Sequence, residues 1–146
     1  MRRWILVGAV CAAFLAGAVP AAAGSGPTIW RTTIAGPVLH GGATVTERPV
    51  ARVRFAAAVH DALPATRPVM ELVGAGCGTK GPVLGVALMT PATAAGQSAG
   101  LEIFSTPQTA VFDTWVRAGR TISVHIVGRG PNVTRTQSCG VLTRVG

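Results

Sequence analysis

The stretch Thr121–Val127, with the sequence TISVHIV, carries the clearest secondary-structure signal in the chain. Ile122, Val124 and Ile126 alternate along it with polar residues at positions 121, 123 and 125. Because successive side chains of a β-strand point to opposite faces of a sheet, this alternation predicts a strand with one face in a hydrophobic core. The fold class then depends on which other segments of the chain are strands that can pair with this one.

The segment before this strand, Ala110–Arg117 (AVFDTWVR), is rich in residues that favour strands, and Ala118–Gly119 separates the two. This pattern predicts a β-hairpin. With direct pairing, Asp113 lies opposite Val124 on the core face, where a buried carboxylate requires a partner such as Arg117. A bulge that shifts the register would expose Asp113 instead.

Six further segments have a strand-like composition and are separated by turns rich in glycine or proline. They are Thr28–Ile34, Val38–Val45, Val69–Val73, Pro82–Met89, Leu101–Phe104 and Gly140–Val145. Pro91–Gln97 lacks the apolar spacing of a buried helix and is predicted to be a loop. Short strands with turn signals at this spacing predict an all-β fold. We expect a single antiparallel β-sandwich, with an immunoglobulin-like arrangement as the first choice and a small β-barrel as the alternative.

The segment Val50–Val59 fits two structures. As a strand it buries Phe55 on one face and exposes Arg52 and Arg54 together on the other. The alanine run and the preceding Pro49 also suit a helix that continues to residue 63. We favour the strand.

The N-terminus has the three parts of a cleavable export signal. Two arginines follow Met1, an uncharged apolar run extends over Trp4–Val19, and the small residues of Pro20–Gly24 come next. A membrane anchor fits less well, because the apolar run is shorter than the about 20 residues needed to span a bilayer. We therefore predict that residues 1–23 are a signal peptide and that residues 24–146 form a single β-rich domain. This domain is exported to the periplasm, the cell wall or the exterior, without a transmembrane segment.

Removal of the signal takes Cys11 away and leaves Cys77 and Cys139. In an exported chain, an even number of cysteines predicts a disulfide, and here only one pairing is possible. A two-cysteine metal site is the alternative, but neither residue has a histidine or a second cysteine near it in sequence.

The exported part is strongly basic, with eleven Arg and Lys against five Asp and Glu, a net charge of +6. Only Lys80 among these is lysine, an imbalance typical of a GC-rich bacterial genome, so codon bias contributes to the charge. Arg48, Arg52 and Arg54 lie close together, and guanidinium groups at this spacing can hold phosphate or carboxylate groups. We predict that they form an anion-binding surface; a merely solvated strand face is the alternative.

The partner expected for these arginines is an anionic envelope component, such as lipid phosphates, teichoic acids or acidic glycans, or another protein. Nucleic acid is not expected, because no aromatic residues are interleaved with the basic ones to stack on bases.

Motifs for catalysis or cofactor binding are not found. The glycine-rich Gly74–Gly81 resembles a phosphate-binding loop only superficially, because Thr79 precedes Lys80 where the motif needs lysine before Ser or Thr, and a Gly-Pro pair follows instead of a helix. We therefore predict a turn that carries Cys77, and no cofactor.

The histidines His40, His60 and His125 match no metal-ligand or catalytic motif, and the chain lacks a G-x-S-x-G sequence. We expect no metal site and no catalytic residues. If the protein were a hydrolase, His125 and His60 with Asp61 or Asp113 would be the acid–base groups.

These observations predict an exported, non-catalytic binding or structural domain associated with the cell envelope. Two alternatives stay open. One is a small secreted hydrolase, and the other is a secreted protease inhibitor that presents the segment Thr90–Gly100 to its target.

Overall fold

The computed structural model describes residues 26–48, 52–130 and 133–145. The predicted signal peptide, residues 1–23, lies outside the described residues. Within the described ranges, no helix is long and apolar enough to cross a membrane.

The described residues form nine strands and one helix, and the strands make two antiparallel sheets. In chain order the strands are β1 Thr28–Ile34, β2 His40–Arg48, β3 Arg52–His60, β4 Val69–Val73, β5 Val83–Leu88, β6 Ser98–Ile103, β7 Ser123–Gly130, β8 Val133–Val141 and β9 Thr143–Val145. One sheet has the order β6-β3-β2-β1-β9 and the other β5-β4-β7-β8. The predicted all-β sandwich is confirmed, and neither sheet closes into a barrel over this part of the chain.

The strand order differs from that of an immunoglobulin domain. In an immunoglobulin sheet the second strand lies between the first and the fifth. Here β2 lies between β1 and β3, so three consecutive strands are neighbours. The segment predicted as one last strand, Gly140–Val145, is divided at Leu142, where the chain passes from β8 in one sheet to β9 in the other.

In the segment with two possible structures, residues 52–59 belong to strand β3, and residues 50 and 51 lie outside the described residues. β3 pairs with β2 on one side and with β6 on the other, so its backbone is hydrogen-bonded along both edges. Phe55 is fully buried, whereas Arg52 and Arg54 are exposed. The alternation of the sequence therefore gave the right structure, and the alternative helix is wrong.

The predicted strand Ala110–Arg117 is wrong, because these residues belong to a helix, α1 Thr106–Arg117. The backbone N–H of Ser105 donates a hydrogen bond of 3.0 Å to the side chain of Gln108, and Pro107 occupies the first turn, where its missing N–H costs nothing. The helix ends before Gly119, whose φ of 63° is a left-handed conformation that glycine adopts without strain. These end signals outweigh the strand preference of the residues between them.

The predicted hairpin is therefore absent. β7 pairs with β4 and β8 instead, and Val124 lies opposite Leu72 and Gly140. Asp113 is part of α1 and does not face Val124.

Helix α1 is held to the sandwich by aromatic packing. Phe112 is fully buried, with its ring centroid 5.4 Å from that of Trp30 and 6.3 Å from that of Phe104, both in edge-to-face orientation. Phe104 in turn packs edge-to-face on Phe55, with centroids 6.5 Å apart. This aromatic cluster joins the helix to strands β1 and β3.

The expected cysteine pairing is present. Cys77, in the connection between β4 and β5, is bonded to Cys139 in β8, and their Cα atoms are 5.8 Å apart. The bond fixes the glycine-rich connection against the β5-β4-β7-β8 sheet.

We expect Phe112→Ala to lower the free energy of unfolding by about 3–5 kcal/mol, because it removes a buried ring from the aromatic cluster and leaves a cavity. Urea denaturation measures this change. The matched control is Val111→Ala, the preceding helix residue, which is 50% exposed and should change stability by less than about 0.5 kcal/mol. Equal losses in both variants would mean that the aromatic cluster does not hold the helix.

We expect the double variant Cys77→Ser, Cys139→Ser to lose about 4 kcal/mol of stability, because the bond closes a long loop and restricts the unfolded chain. The sequence separation of 62 residues sets this magnitude. Denaturation of the oxidised wild type, the reduced wild type and the variant tests this. The reduced wild type and the double variant should have similar stabilities, and both should be less stable than the oxidised wild type.

Candidate functional site

The three arginines selected from the sequence lie on one exposed face at the end of the β2–β3 hairpin. Arg48 is directly opposite Arg52, and Arg54 is two residues further along β3. All three are exposed. Residues opposite each other on antiparallel strands are about 5 Å apart, and residues i and i+2 about 7 Å apart, on the same face of the sheet. The guanidinium groups therefore form one positively charged surface, which we call the arginine face.

No Asp or Glu side chain lies within 4.0 Å of a charged atom of the arginine face among the described residues. Glu47 is adjacent in sequence but pairs with the buried Val53, so it points to the opposite side of the sheet. Burial, together with the neighbouring carboxyl group of Asp113, raises the pKa of Glu47. The nearest carboxyl group in sequence therefore does not neutralise the arginines.

The other end of the same hairpin brings together residues that the sequence analysis treated separately. His40 lies directly opposite His60, and their rings are stacked with centroids 5.6 Å apart. Asp61 follows immediately, with its Oδ2 3.3 Å from Nδ1 of His40 and hydrogen-bonded to Nδ1 of His60. These hydrogen bonds, the one from His60 first, hold the pKa of Asp61 below its ordinary value. We call this group the histidine cluster.

Sequence reasoning missed this cluster because His40 and His60 are 20 positions apart and fit no motif. The available signal was the hairpin itself. Every pair in the β2–β3 ladder has residue numbers that add to 100, from His40 with His60 to Arg48 with Arg52. Recognition that residues 40–48 pair with residues 52–60 in this register would have placed the two histidines opposite each other.

A third candidate is a cavity of about 570 Å³ on the exposed side of the β5-β4-β7-β8 sheet. The glycine-rich connection with Lys80 forms one wall, and Glu71, His125, Gln137 and Cys139 contribute to the rest. The connection leads into β5 and not into a helix, so it has no phosphate-binding loop structure.

His125 in this cavity is held by two hydrogen bonds. Its Nε2 is 2.9 Å from Oγ of Ser123, and the side-chain amide of Gln137 donates to its Nδ1. Ser123 has no exposed surface, so its hydroxyl is not accessible to a substrate. Because Nδ1 accepts from Gln137, Nε2 carries the imidazole proton and donates to Ser123, which is the reverse of a catalytic dyad, where the serine hydroxyl donates to the histidine.

The acid–base groups considered for a hydrolase are not assembled in one place. His60 and Asp61 are together, but His125 lies on the other sheet and Asp113 on α1. The cavity at His125 also contains the carboxylate of Glu71 and the exposed side chains of Thr79 and Lys80. The hydrogen bonds of His125 in the described structure go to Ser123 and Gln137 and not to these groups.

The segment considered for an inhibitor, Thr90–Gly100, is not an extended loop. Its last residues belong to β6, and the predicted loop before them is confirmed. Backbone hydrogen bonds join Ala92 to Thr66 at 2.7 Å and Thr93 to Gln97 at 2.9 Å. The loop is folded on itself and against its neighbour.

Comparisons of the chain with protein families, with curated proteins and with solved structures found no match.

His125 gives the fold a predicted pH dependence. Burial lowers the pKa of His125 below 6.5, and Glu71, opposite it on β4, opposes this only in part. Between the lowered folded-state pKa and 6.5, the unfolded chain binds a proton that the folded chain does not. Above pH 6.5, neutral His125 therefore makes its full contribution to the free energy of unfolding. This contribution is lost as the pH falls from 6.5 through the lowered pKa of His125.

We expect the free energy of unfolding to decrease between pH 7.5 and pH 5, and His125→Gln to reduce that decrease because glutamine does not titrate. Denaturation curves of both proteins across this range measure the effect. Glu71 and Lys80 line the same cavity, so Glu71→Gln serves as the control for the neighbouring carboxylate. If the stability of His125→Gln depends on pH as that of the wild type does, His125 is not the cause of the decrease.

Proposed function

We propose that the protein is an exported, non-catalytic binding domain of the cell envelope that contacts anionic ligands through Arg48, Arg52 and Arg54. One observation carries this proposal: the three arginines share an exposed face of the β2–β3 hairpin, with no carboxylate side chain paired to them.

Electrostatics supports an anionic partner for this surface. Like charges directly opposite each other on neighbouring strands, such as Arg48 and Arg52, repel and destabilise the pairing. An anion between the guanidinium groups relieves this repulsion and accepts several charge-assisted hydrogen bonds. Arginine suits this task better than lysine, because its planar donor groups match two oxygens of a phosphate or carboxylate.

Two features support export. The disulfide between Cys77 and Cys139 belongs to a class of bond that persists in oxidising compartments outside the cytosol. The sequence of residues 1–23 has the charge, apolar run and small residues of a signal peptide. In a bacterial envelope, lipid phosphates, teichoic acids and acidic glycans are the anions available to such a domain.

A non-catalytic role agrees with the geometry of the histidines. His125 is hydrogen-bonded to a buried serine, and His40 and His60 are exposed at the ends of β2 and β3. Binding by an exposed strand face needs neither a nucleophile nor a cofactor.

We expect the triple variant Arg48→Gln, Arg52→Gln, Arg54→Gln to bind phosphatidylglycerol vesicles about 100-fold more weakly than the wild type at low salt, since a basic residue near an anionic membrane contributes about 1 kcal/mol. Vesicle co-sedimentation measures this. Binding by the wild type should also weaken as salt is raised, because the Debye length falls to about 8 Å at physiological ionic strength. Phosphatidylcholine vesicles should not bind.

The matched control is the triple variant Arg67→Gln, Lys80→Gln, Arg129→Gln, which removes the same charge from exposed residues outside the arginine face. It should keep most of the binding. Equal losses in the two triple variants would show that net charge alone acts and would refute the site. Binding of teichoic acid but not of vesicles would identify the ligand as an anionic polymer of the cell wall, and binding of neither would refute the function.

A further inference from the structure

The histidine cluster offers two imidazoles and one carboxylate that converge on a common point. One ligand atom from each of His40, His60 and Asp61 can be chosen so that all three atoms lie within 4.8 Å of one another. Two histidines and one carboxylate form a donor set that proteins use for divalent first-row transition metals.

From this geometry we propose that His40, His60 and Asp61 form a binding site for a divalent transition-metal cation such as Zn²⁺. The site lies on the same sheet as the arginine face but is independent of it. Arg48 is eight positions from His40 along β2, about 26 Å, and Arg54 is six positions from His60 along β3, about 20 Å.

The distance between the His40 and Asp61 ligand atoms matches that of a tetrahedral zinc site. Zinc bonds to nitrogen and oxygen ligands are about 2.0–2.1 Å long, which places neighbouring ligand atoms about 3.3 Å apart at tetrahedral angles. Nδ1 of His40 and Oδ2 of Asp61 are already 3.3 Å apart. Nδ1 of His60 is closer to the same oxygen and has to move outward by a small side-chain rotation to admit the ion.

The backbone holds the three ligands in place before any ion binds. His40 and His60 are fixed opposite each other by the β2–β3 ladder. Asp61 lies between this ladder and Ala62. Ala62 is buried, and its N–H donates a hydrogen bond of 3.0 Å to the carbonyl oxygen of Gly96, so the backbone is held on both sides of Asp61. Ligands fixed in this way lose little conformational entropy on binding.

The backbone of Asp61 has a φ of 69°, a left-handed conformation that is uncommon outside glycine but tolerated by aspartate. In this conformation the carboxylate reaches back to the imidazoles of the two strands. The side chains of all three ligands are about half exposed, at 48%, 57% and 53% for His40, His60 and Asp61. Water can therefore complete the coordination of a bound cation.

Isothermal titration of the purified protein with ZnCl₂ tests the proposal. We expect one Zn²⁺ per chain, and a loss of affinity of at least about tenfold in each of the variants His40→Gln, His60→Gln and Asp61→Asn. All three residues are exposed, and asparagine also tolerates the left-handed backbone of position 61, so these variants should keep the fold. Cu²⁺ should bind more tightly than Zn²⁺, whereas excess Mg²⁺ should not displace it, because nitrogen donors disfavour hard cations.

Two controls separate this site from other binding. His125→Gln removes a histidine from the other sheet, and Glu102→Gln removes a carboxylate outside the cluster; both should bind Zn²⁺ as the wild type does. In NMR spectra, zinc should shift the imidazole signals of His40 and His60 but not those of His125. Absence of zinc binding, or affinity unchanged by the cluster variants, would overturn the proposal. The arginine triple variant should bind Zn²⁺ normally.

Discussion

The antiparallel register of β2 and β3 is the constraint on which both proposed sites depend. Each residue pair in this ladder shares a face of the sheet, so the register that buries Val45 against Phe55 also sets which polar side chains meet on the other side. A shift by one residue would turn Phe55 to solvent and the arginines into the core. The burial of apolar side chains thus determines the position of the functional groups, although those groups contribute little to the packing.

The sandwich supports this hairpin by covering its inner face. Strand β3 is an interior strand of its sheet, with β2 and β6 as neighbours, and Phe55 packs against Phe104. Phe104 contacts Phe112 of α1, which in turn contacts Trp30 of β1. Large aromatic side chains bury much apolar surface each, so four of them joined in one cluster stabilise a domain that has few others. The disulfide adds a separate constraint on the other sheet, where Cys77 and Cys139 attach the glycine-rich connection.

The exposed face of the β2–β3 hairpin is chemically different at its two ends. Arginine groups remain charged at all physiological pH values and bind oxyanions, whereas imidazole and carboxylate groups bind metal cations. The two ends stay apart because the backbone of a β-strand is extended and has a fixed length. The two proposed activities can therefore operate at the same time without competition for a ligand. On the other sheet His125 is buried and hydrogen-bonded to Ser123 and Gln137.

The sequence by itself determined the all-β class, most strand positions, the cysteine pairing and the exposure of Arg52 and Arg54, because alternation and cysteine count are local or unambiguous signals. It did not determine the structure of Ala110–Arg117, where strand-forming residues yield to the end signals at Ser105 and Gly119 and to the burial of Phe112. The sequence alone also did not predict the contact between His40 and His60. Only the tertiary structure decided that contact, because a site made across a hairpin depends on the register of two strands, and register is set by the packing of the whole sheet.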